Sequence, residues 1–96
     1  MYDGFEWDPA KAATNFARHG VSFEEASTVF DDPFSITIDD DEHSEEEERF
    51  VTMGRSDAGR LLVVCHCDRK ERIRIINGRP AERYEQRQYE QENTKK

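Results

Sequence analysis

The sequence has few cysteines and no long apolar run. Only two of its 96 residues are cysteines, Cys65 and Cys67, and they stand two positions apart. Neighbours at that spacing rarely form a disulfide and do not make a complete zinc site, so we expect reduced thiols packed as small apolar side chains. No stretch approaches the roughly 20 apolar residues that cross a membrane, so no membrane association is expected.

The N-terminus lacks the basic start and apolar stretch of a secretory signal, which predicts a cytoplasmic protein. The chain also shows no internal repeat and no domain boundary. Its length is that of one domain. We therefore predict a single domain over residues 1–96, with a core over about 5–91 and a frayed tail over 92–96.

The net charge of −8 is divided unevenly along the chain. Residues 1–48 hold fifteen acidic and two basic side chains, whereas residues 49–87 hold ten basic and five acidic ones. An acidic protein is a poor nonspecific binder of nucleic acid, yet the basic half could still face RNA. The alternative is that the two halves neutralise each other across the fold.

The first half of the chain carries strong helix signals. Residues 5–7 alternate between apolar and polar and predict a short strand. Asp8 and Pro9 are typical of a helix start, and Gly20 is typical of a helix end. The apolar face of this helix is expected at Ala12, Ala13, Phe16 and Ala17.

A second helix is predicted to begin at a capping box formed by Ser22 and Glu25. The Ser22 hydroxyl would accept a hydrogen bond from the Glu25 N–H, and the Glu25 side chain would reach back to Ser22. Pro33 ends the helix, because the residue before a proline disfavours helical geometry. Its apolar face is expected at Phe23, Ala26, Val29 and Phe30.

Four strands and a helix are predicted in the rest of the chain. Alternation over residues 34–38 indicates a half-exposed strand, and the acidic run over 39–48 indicates a solvated loop. Three further strands are predicted over residues 49–55, 61–66 and 72–77, and a last helix over about 80–91. The apolar run from residue 61 favours a central strand. The order β-α-α-β-β-β-β-α defines a small α+β domain with a mostly antiparallel sheet and the two N-terminal helices on one face.

No standard catalytic motif is present, and neither a metal nor a cofactor is expected. The informative feature is a set of arginines in the second half. Arg72 and Arg74 share one face of the fifth strand, and the isoleucines between and after them should face the core. Arg79, Arg83 and Arg87 recur every four residues, which predicts one face of the last helix.

Such arginines suit a phosphodiester ligand, because a guanidinium binds phosphate oxygens in pairs and stays charged. Metal-free RNA cleavage needs charge stabilisation and proton transfer. Arginine supplies the first, and His66 or Tyr89 could supply the second. The structural alternatives are an ion-pair face on the last helix, a hydrogen-bonded strand histidine at position 66, a helix C-cap at His19 and a solvated His43.

The combined pattern resembles the BrnT family of ribonuclease toxins over residues 5–90. In the first half the resemblance is carried by Phe5-Glu6-Trp7-Asp8-Pro9-Ala10-Lys11, Asn15, His19-Gly20-Val21-Ser22-Phe23-Glu24-Glu25-Ala26 and Val29-Phe30-Asp31-Asp32-Pro33. In the second half it is carried by His43-Ser44, Glu48-Arg49-Phe50, Gly54-Arg55-Ser56, Arg60-Leu61-Leu62-Val63-Val64, His66, Arg72-Ile73-Arg74-Ile75-Ile76, Arg79, Ala81 and Tyr89-Glu90.

The resemblance implies a RelE-like fold, RNA cleavage without a metal, and inhibition of translation. It also implies a BrnA-like antitoxin that neutralises the toxin, usually in a heterotetramer that reaches DNA only through the antitoxin. The implied catalytic set is Arg55, His66, Arg74, Arg79 and Tyr89. The further basic residues Lys11, Arg72, Arg83 and Arg87 are predicted to bind RNA because of their charge. From their chemistry, Arg55 and Arg74 would bind phosphate, His66 would transfer a proton, and Arg79 would stabilise the transition state.

The sequence departs from the family after the fifth strand. Where Ser-Ala-Arg-Arg/Lys-Ala-Thr is usual, it has Asn77-Gly78-Arg79-Pro80-Ala81-Glu82. Pro80 removes a basic residue and Glu82 adds an acidic one. Cys67 also stands where threonine is common. The rival hypothesis is therefore a weak or inactive binding module whose basic face only docks an acidic partner protein.

Overall fold

The computed structural model describes residues 4–43 and 47–94, and the predicted order of strands and helices is confirmed there. The five strands are β1 (Phe5–Glu6), β2 (Ile36–Asp39), β3 (Arg49–Arg55), β4 (Leu61–Arg69) and β5 (Arg72–Pro80). The α-helices are α1 (Pro9–His19), α2 (Phe23–Ser27) and α3 (Arg83–Thr94), with short 3-10 helices at Thr28–Asp31 and Asp41–His43.

The strands form one sheet in the spatial order β1-β5-β4-β3-β2. β1 runs parallel to β5, and the other neighbours are antiparallel, so the sheet is mostly antiparallel as expected. β4 lies in the centre, and its first seven residues are buried. This burial on both faces confirms the interpretation of its continuous apolar run.

Local capping signals define the first two helices. The Asp8 carboxylate accepts a hydrogen bond from the Ala10 N–H at 2.8 Å, and Pro9 takes the first helical position. Gly20 ends α1 in the left-handed conformation, with φ of 68°. The Ser22 hydroxyl caps α2 by accepting from the Glu25 N–H at 3.0 Å. These helix bounds were predicted from the same residues.

Two expectations about these helices are wrong. Ala13, Phe16 and Ala17 are exposed, and α1 instead turns Asn15 toward the sheet. Its buried face is therefore polar and is fixed by hydrogen bonds to backbone atoms of β5. The Glu25 carboxylate does not return to its own helix cap, because Ser56 and Arg60 bind it across the fold.

The core has one layer on each face of the sheet. The layer under α1 and α2 contains Val21, Phe23, Ala26, Val29, Leu62, Val64 and Ile75. The layer under α3 contains Met53, Leu61, Val63 and Tyr89. The first layer is the larger one, which agrees with the prediction that the N-terminal helices pack together on one face.

The C-terminal third differs from the predicted bounds. β5 continues to Pro80, so Pro80 ends a strand and does not open the last helix. Ala81 still donates its N–H to the Leu61 carbonyl at 2.9 Å, which holds the chain on the sheet beyond the strand. α3 then begins at Arg83 and continues to Thr94. The frayed tail expected from residue 92 is therefore helical through residue 94.

Four other features of the described residues bear on the predictions: the cysteines, the acidic loop, the length of the helices and possible metal ligands. Cys65 and Cys67 are buried free thiols, as predicted. Of the acidic loop over residues 39–48, residues 44–46 and the side chain of His43 lie outside the described part. Within the described part, none of the helices is long and apolar enough to span a membrane. The same part contains no group of three metal-ligating side chains.

Candidate functional site

A groove of about 490 Å³ lies between α1 and the second half of β5. β1 pairs only with Ile73 and Arg74, so beyond these residues β1 leaves the outer edge of β5 to α1. Four basic side chains line the groove, namely Lys11, Arg18, His19 and Arg79. Its other lining residues are Ala10, Thr14, Asn15, Ile76 and Asn77. We call this feature the α1–β5 groove.

Asn15 joins the two walls of the α1–β5 groove. Its side-chain amide donates to the Gly78 carbonyl at 2.8 Å and to the Val21 carbonyl at 3.0 Å. The Gly78 N–H donates back to the Asn15 carbonyl oxygen at 3.1 Å. All three bonds are buried, so one side chain replaces the strand partner that the edge of β5 lacks here.

Gly78 also permits a close approach between β5 and α2, because it has no side chain. A Cβ at this position would lie 3.3 Å from the Ala26 Cβ and 3.6 Å from a Val21 methyl carbon. The first of these contacts would be tight, and both neighbouring atoms belong to the fully buried core. The glycine therefore allows α2 and the segment before it to pack closely on β5.

Helical spacing places the basic residues of α1 on the wall of the groove. Lys11, Asn15 and Arg18 follow the i, i+4, i+7 pattern of one helix face. Sequence reasoning found Lys11 but missed Arg18, and it read His19 as a helix cap. The spacing from Lys11 and Asn15 could have identified Arg18. It was missed because the buried face of the helix was expected at Ala13 and Phe16, which are exposed.

Arg79 forms the β5 wall and is held by α3. Its two terminal nitrogens donate to the two carboxylate oxygens of Glu85, each at 2.9 Å. Glu85 also accepts from the Glu82 N–H at 2.8 Å at the start of α3. The hydrogen bonds from Arg79 lower the pKa of Glu85, although burial opposes this shift. The pair is thus charged, and the carboxylate fixes the orientation of the guanidinium beside the start of α3.

Arg55 and Tyr89 form a separate cluster around Asp32. The Tyr89 hydroxyl donates to the Asp32 carboxylate at 2.6 Å, and the Arg55 backbone N–H donates to the same oxygen at 2.8 Å. The Arg55 guanidinium lies 5.6 Å from the centre of the Tyr89 ring. Burial and the Asp32 hydrogen bond raise the pKa of Tyr89 to about 12. This hydroxyl therefore stays protonated and ties α3 to the loop before β2.

The remaining predicted arginines lie in other places. Arg74 donates to the Glu6 carboxylate at 2.9 Å, across the pair formed by β1 and β5. Arg72 is exposed at the start of β5, and Arg83 and Arg87 are exposed on α3. Arg79 does not continue their helical row because it lies on a strand. The structure thus brings together Lys11 and Arg79, and separately Arg55 and Tyr89, but not the full predicted set.

His66 lies inside the protein, on the face covered by the N-terminal helices. Its Nε2 is 2.7 Å from the Thr52 hydroxyl, and its ring packs against Phe30 and Phe50 at centroid distances of 4.8 and 5.9 Å. Its Nδ1 is buried without a hydrogen-bond partner among the described residues. The ring is 5% exposed, which argues against proton transfer to an RNA substrate.

The buried ring makes stability depend on pH. Burial lowers the pKa of His66 from its usual 6.5. The unfolded chain therefore binds a proton at His66 more readily than the folded protein does. As the pH falls below about 6.5, this proton binding favours the unfolded chain and lowers the stability of the fold. We expect the free energy of unfolding in urea to decrease between about pH 6.5 and pH 5, with a smaller slope in His66→Gln. Equal slopes for the two proteins would assign the effect to other groups.

The fold is that of a known small ribonuclease toxin. The crystal structure of the Brucella abortus ribonuclease toxin BrnT matches with a TM-score of 0.63 at 18% sequence identity, covering 82% of this chain and 96% of that chain. The model of the family described as the BrnT ribonuclease toxin of type II toxin–antitoxin systems matches residues 7–85, and the chain belongs to this family. The curated proteins include no sequence match. The family and the fold expected from the residues are confirmed.

Proposed function

We propose that this chain is a metal-independent endoribonuclease toxin that binds and cleaves RNA in the α1–β5 groove. The observation that carries the proposal is the convergence of Lys11, Arg18, His19 and Arg79 in one groove. The protein has a net charge of −8, so this concentration of basic side chains runs against its overall composition. A polyanionic chain would be attracted to this groove and repelled from most of the remaining surface.

The groove supplies the two functions that cleavage requires. In the proposed reaction the 2′-oxygen of a ribose attacks the adjacent phosphorus, the bond to the 5′-oxygen breaks, and a 2′,3′-cyclic phosphate forms. One proton leaves the 2′-hydroxyl and one reaches the departing 5′-oxygen. Lys11 and Arg18 would hold neighbouring phosphates, and Arg79 would stabilise the charge on the reacting phosphate. His19 would accept the proton of the 2′-hydroxyl and then deliver a proton to the departing 5′-oxygen, so that the ring ends the step in its starting form.

The cellular role follows from this activity and from the family. We infer that RNA cleavage inhibits translation in the cytoplasm and that a BrnA-like antitoxin neutralises the toxin. The two proteins would form a heterotetramer in which only the antitoxin contacts DNA. The match to a family of type II toxin–antitoxin systems supports a protein antitoxin as the partner.

A binding module without catalysis is the second candidate, and one observation favours it. Both terminal nitrogens of Arg79 are already bound to Glu85, so this guanidinium must share its donors with any phosphate. The acidic Glu82 lies near the same pair and raises the pKa of Arg79 together with Glu85. In this case the α1–β5 groove would bind an anionic partner and leave it intact.

Cleavage of total RNA by the purified, partner-free protein separates these candidates. We expect cleavage that persists in EDTA and that falls at least about 100-fold in the double variant Lys11→Ala/Arg18→Ala, since each lost charged contact costs about 1.5–3 kcal/mol. The matched control is Arg83→Ala/Arg87→Ala, which removes the same charge from the exposed face of α3. Equal losses in both double variants would contradict the placement of the site in this groove, and binding without cleavage would favour the second candidate.

A further inference from the structure

An apolar groove of about 330 Å³ lies between α3 and the strands β2, β3 and β4. Its apolar walls are formed by Ile36, Ile38, Val51, Met53 and Val63. Glu85, Gln88 and Glu92 of α3 complete the lining. Ile38 is 61% exposed, so an apolar side chain next to this groove faces solvent. We call this groove, together with the outer edge of β2, the β2–α3 face.

The outer edge of β2 is open to a further strand. Asp40 donates its N–H to the Arg49 carbonyl at 2.8 Å, which marks a hydrogen-bonded pair with β3. Alternation along an antiparallel strand then directs the backbone groups of Thr37 and Asp39 away from β3. No strand pairs with this edge in the part of the chain that the structure describes. An open edge next to exposed apolar side chains is a surface on which another chain can add a strand.

The acidic charge around this edge favours a basic protein segment over a second copy of this chain. Asp39, Asp40, Asp41 and Glu42 follow Ile38 directly in the sequence. A second copy of this chain would bring the same acidic run to the same edge, and its net charge of −8 would add to the repulsion. A segment with lysine or arginine beside its apolar residues would be attracted to the acidic run.

We propose that the β2–α3 face binds an extended segment of the antitoxin in which apolar and polar side chains alternate and basic residues flank the apolar ones. The segment would pair with the backbone of Thr37 and Asp39. Its apolar side chains would enter the groove beside Ile38, and its basic side chains would lie along the acidic run. The identity of the partner as the antitoxin rests on the proposed function, whereas the surface rests on the geometry of β2 and α3.

The test compares two exposed apolar residues on different faces. Ile38→Lys places a positive charge on the β2–α3 face, and Phe16→Lys makes the same change on α1, where Phe16 is 57% exposed. Binding of the purified cognate antitoxin is measured by titration calorimetry, with melting curves as the check on folding. We expect the dissociation constant to rise at least about 10-fold for Ile38→Lys and to stay within about 2-fold for Phe16→Lys.

The outcomes separate this inference from the proposed function. An Ile38→Lys protein that binds the antitoxin as the unmodified chain does, or a greater loss in Phe16→Lys, would overturn the inference. A dimer of the chain alone that dissociates in Ile38→Lys would also overturn it, because the occupant would then be a second copy. RNA cleavage by the same free proteins is measured in parallel. Loss of antitoxin binding in Ile38→Lys supports the inference whether or not the unmodified chain cleaves RNA.

Discussion

Replacing His19 with asparagine is expected to lower the rate of RNA cleavage by about 100-fold or more, because general acid–base catalysis contributes about 10²- to 10⁴-fold. Asparagine keeps polar atoms at the end of α1 but cannot transfer a proton. Lys11, Arg18 and Arg79 still line the α1–β5 groove in this variant, so RNA binding should change only a few-fold. Single-turnover cleavage and RNA binding, measured separately, test these two expectations.

Comparison with the Lys11→Ala/Arg18→Ala variant separates an effect on RNA binding from an effect on the chemical step. Loss of Lys11 and Arg18 should weaken RNA binding and reduce its salt dependence, whereas loss of His19 should slow the chemical step. Melting curves of His19→Asn check that the variant is folded and as stable as the unmodified protein. Cleavage at the rate of the unmodified protein would remove His19 from the proposed reaction, and equal losses of binding and rate would make its role electrostatic.

Replacing Asn15 with leucine is expected to cause the largest loss of stability. The variant leaves the Gly78 N–H and the carbonyls of Gly78 and Val21 without the bonds that Asn15 makes. Buried groups left without partners cost about 1–3 kcal/mol each, so for three groups we expect a loss of roughly 3–9 kcal/mol in the free energy of unfolding. A small domain is stable by only about 5–15 kcal/mol, so the variant should be close to unfolding. Urea denaturation measures this change.

The neighbouring residue provides the control for Asn15. Thr14 is exposed, and its hydroxyl donates to the Ala10 carbonyl within α1 at 3.1 Å. Thr14→Ala should therefore change stability by only about 0.5 kcal/mol. If Asn15→Leu were as stable as Thr14→Ala, the amide of Asn15 would not hold α1 on β5, and the α1–β5 groove would need another explanation for its shape.

Features that depend on neighbours in sequence were predicted well. Asp8, Pro9 and Gly20 define the ends of α1, because a capping side chain or a left-handed glycine acts on backbone groups a few residues away. β3 has the predicted bounds of Arg49–Arg55. The central position of β4 followed from its apolar run, since only a strand covered on both faces accommodates such a sequence.

Features that depend on distant residues were not predicted. Arg79 was assigned to a helix by its spacing from Arg83 and Arg87, but pairing with Val63 keeps it on β5. His66 was a candidate for proton transfer, but the packing of Phe30 and Phe50 encloses it. A pattern along one segment cannot reveal such enclosure, because it is created by elements that arrive from elsewhere in the chain.

The sequence by itself determined the order of strands and helices, both ends of α1, the start of α2 and the family to which the chain belongs. The tertiary structure decided which basic residues share a groove. Asn15 and Gly78 are 63 positions apart, and their hydrogen bonds bring Lys11 and Arg18 opposite Arg79. Capping and periodicity are local effects that a few residues encode, whereas the α1–β5 groove exists only because α1 packs against the open edge of β5.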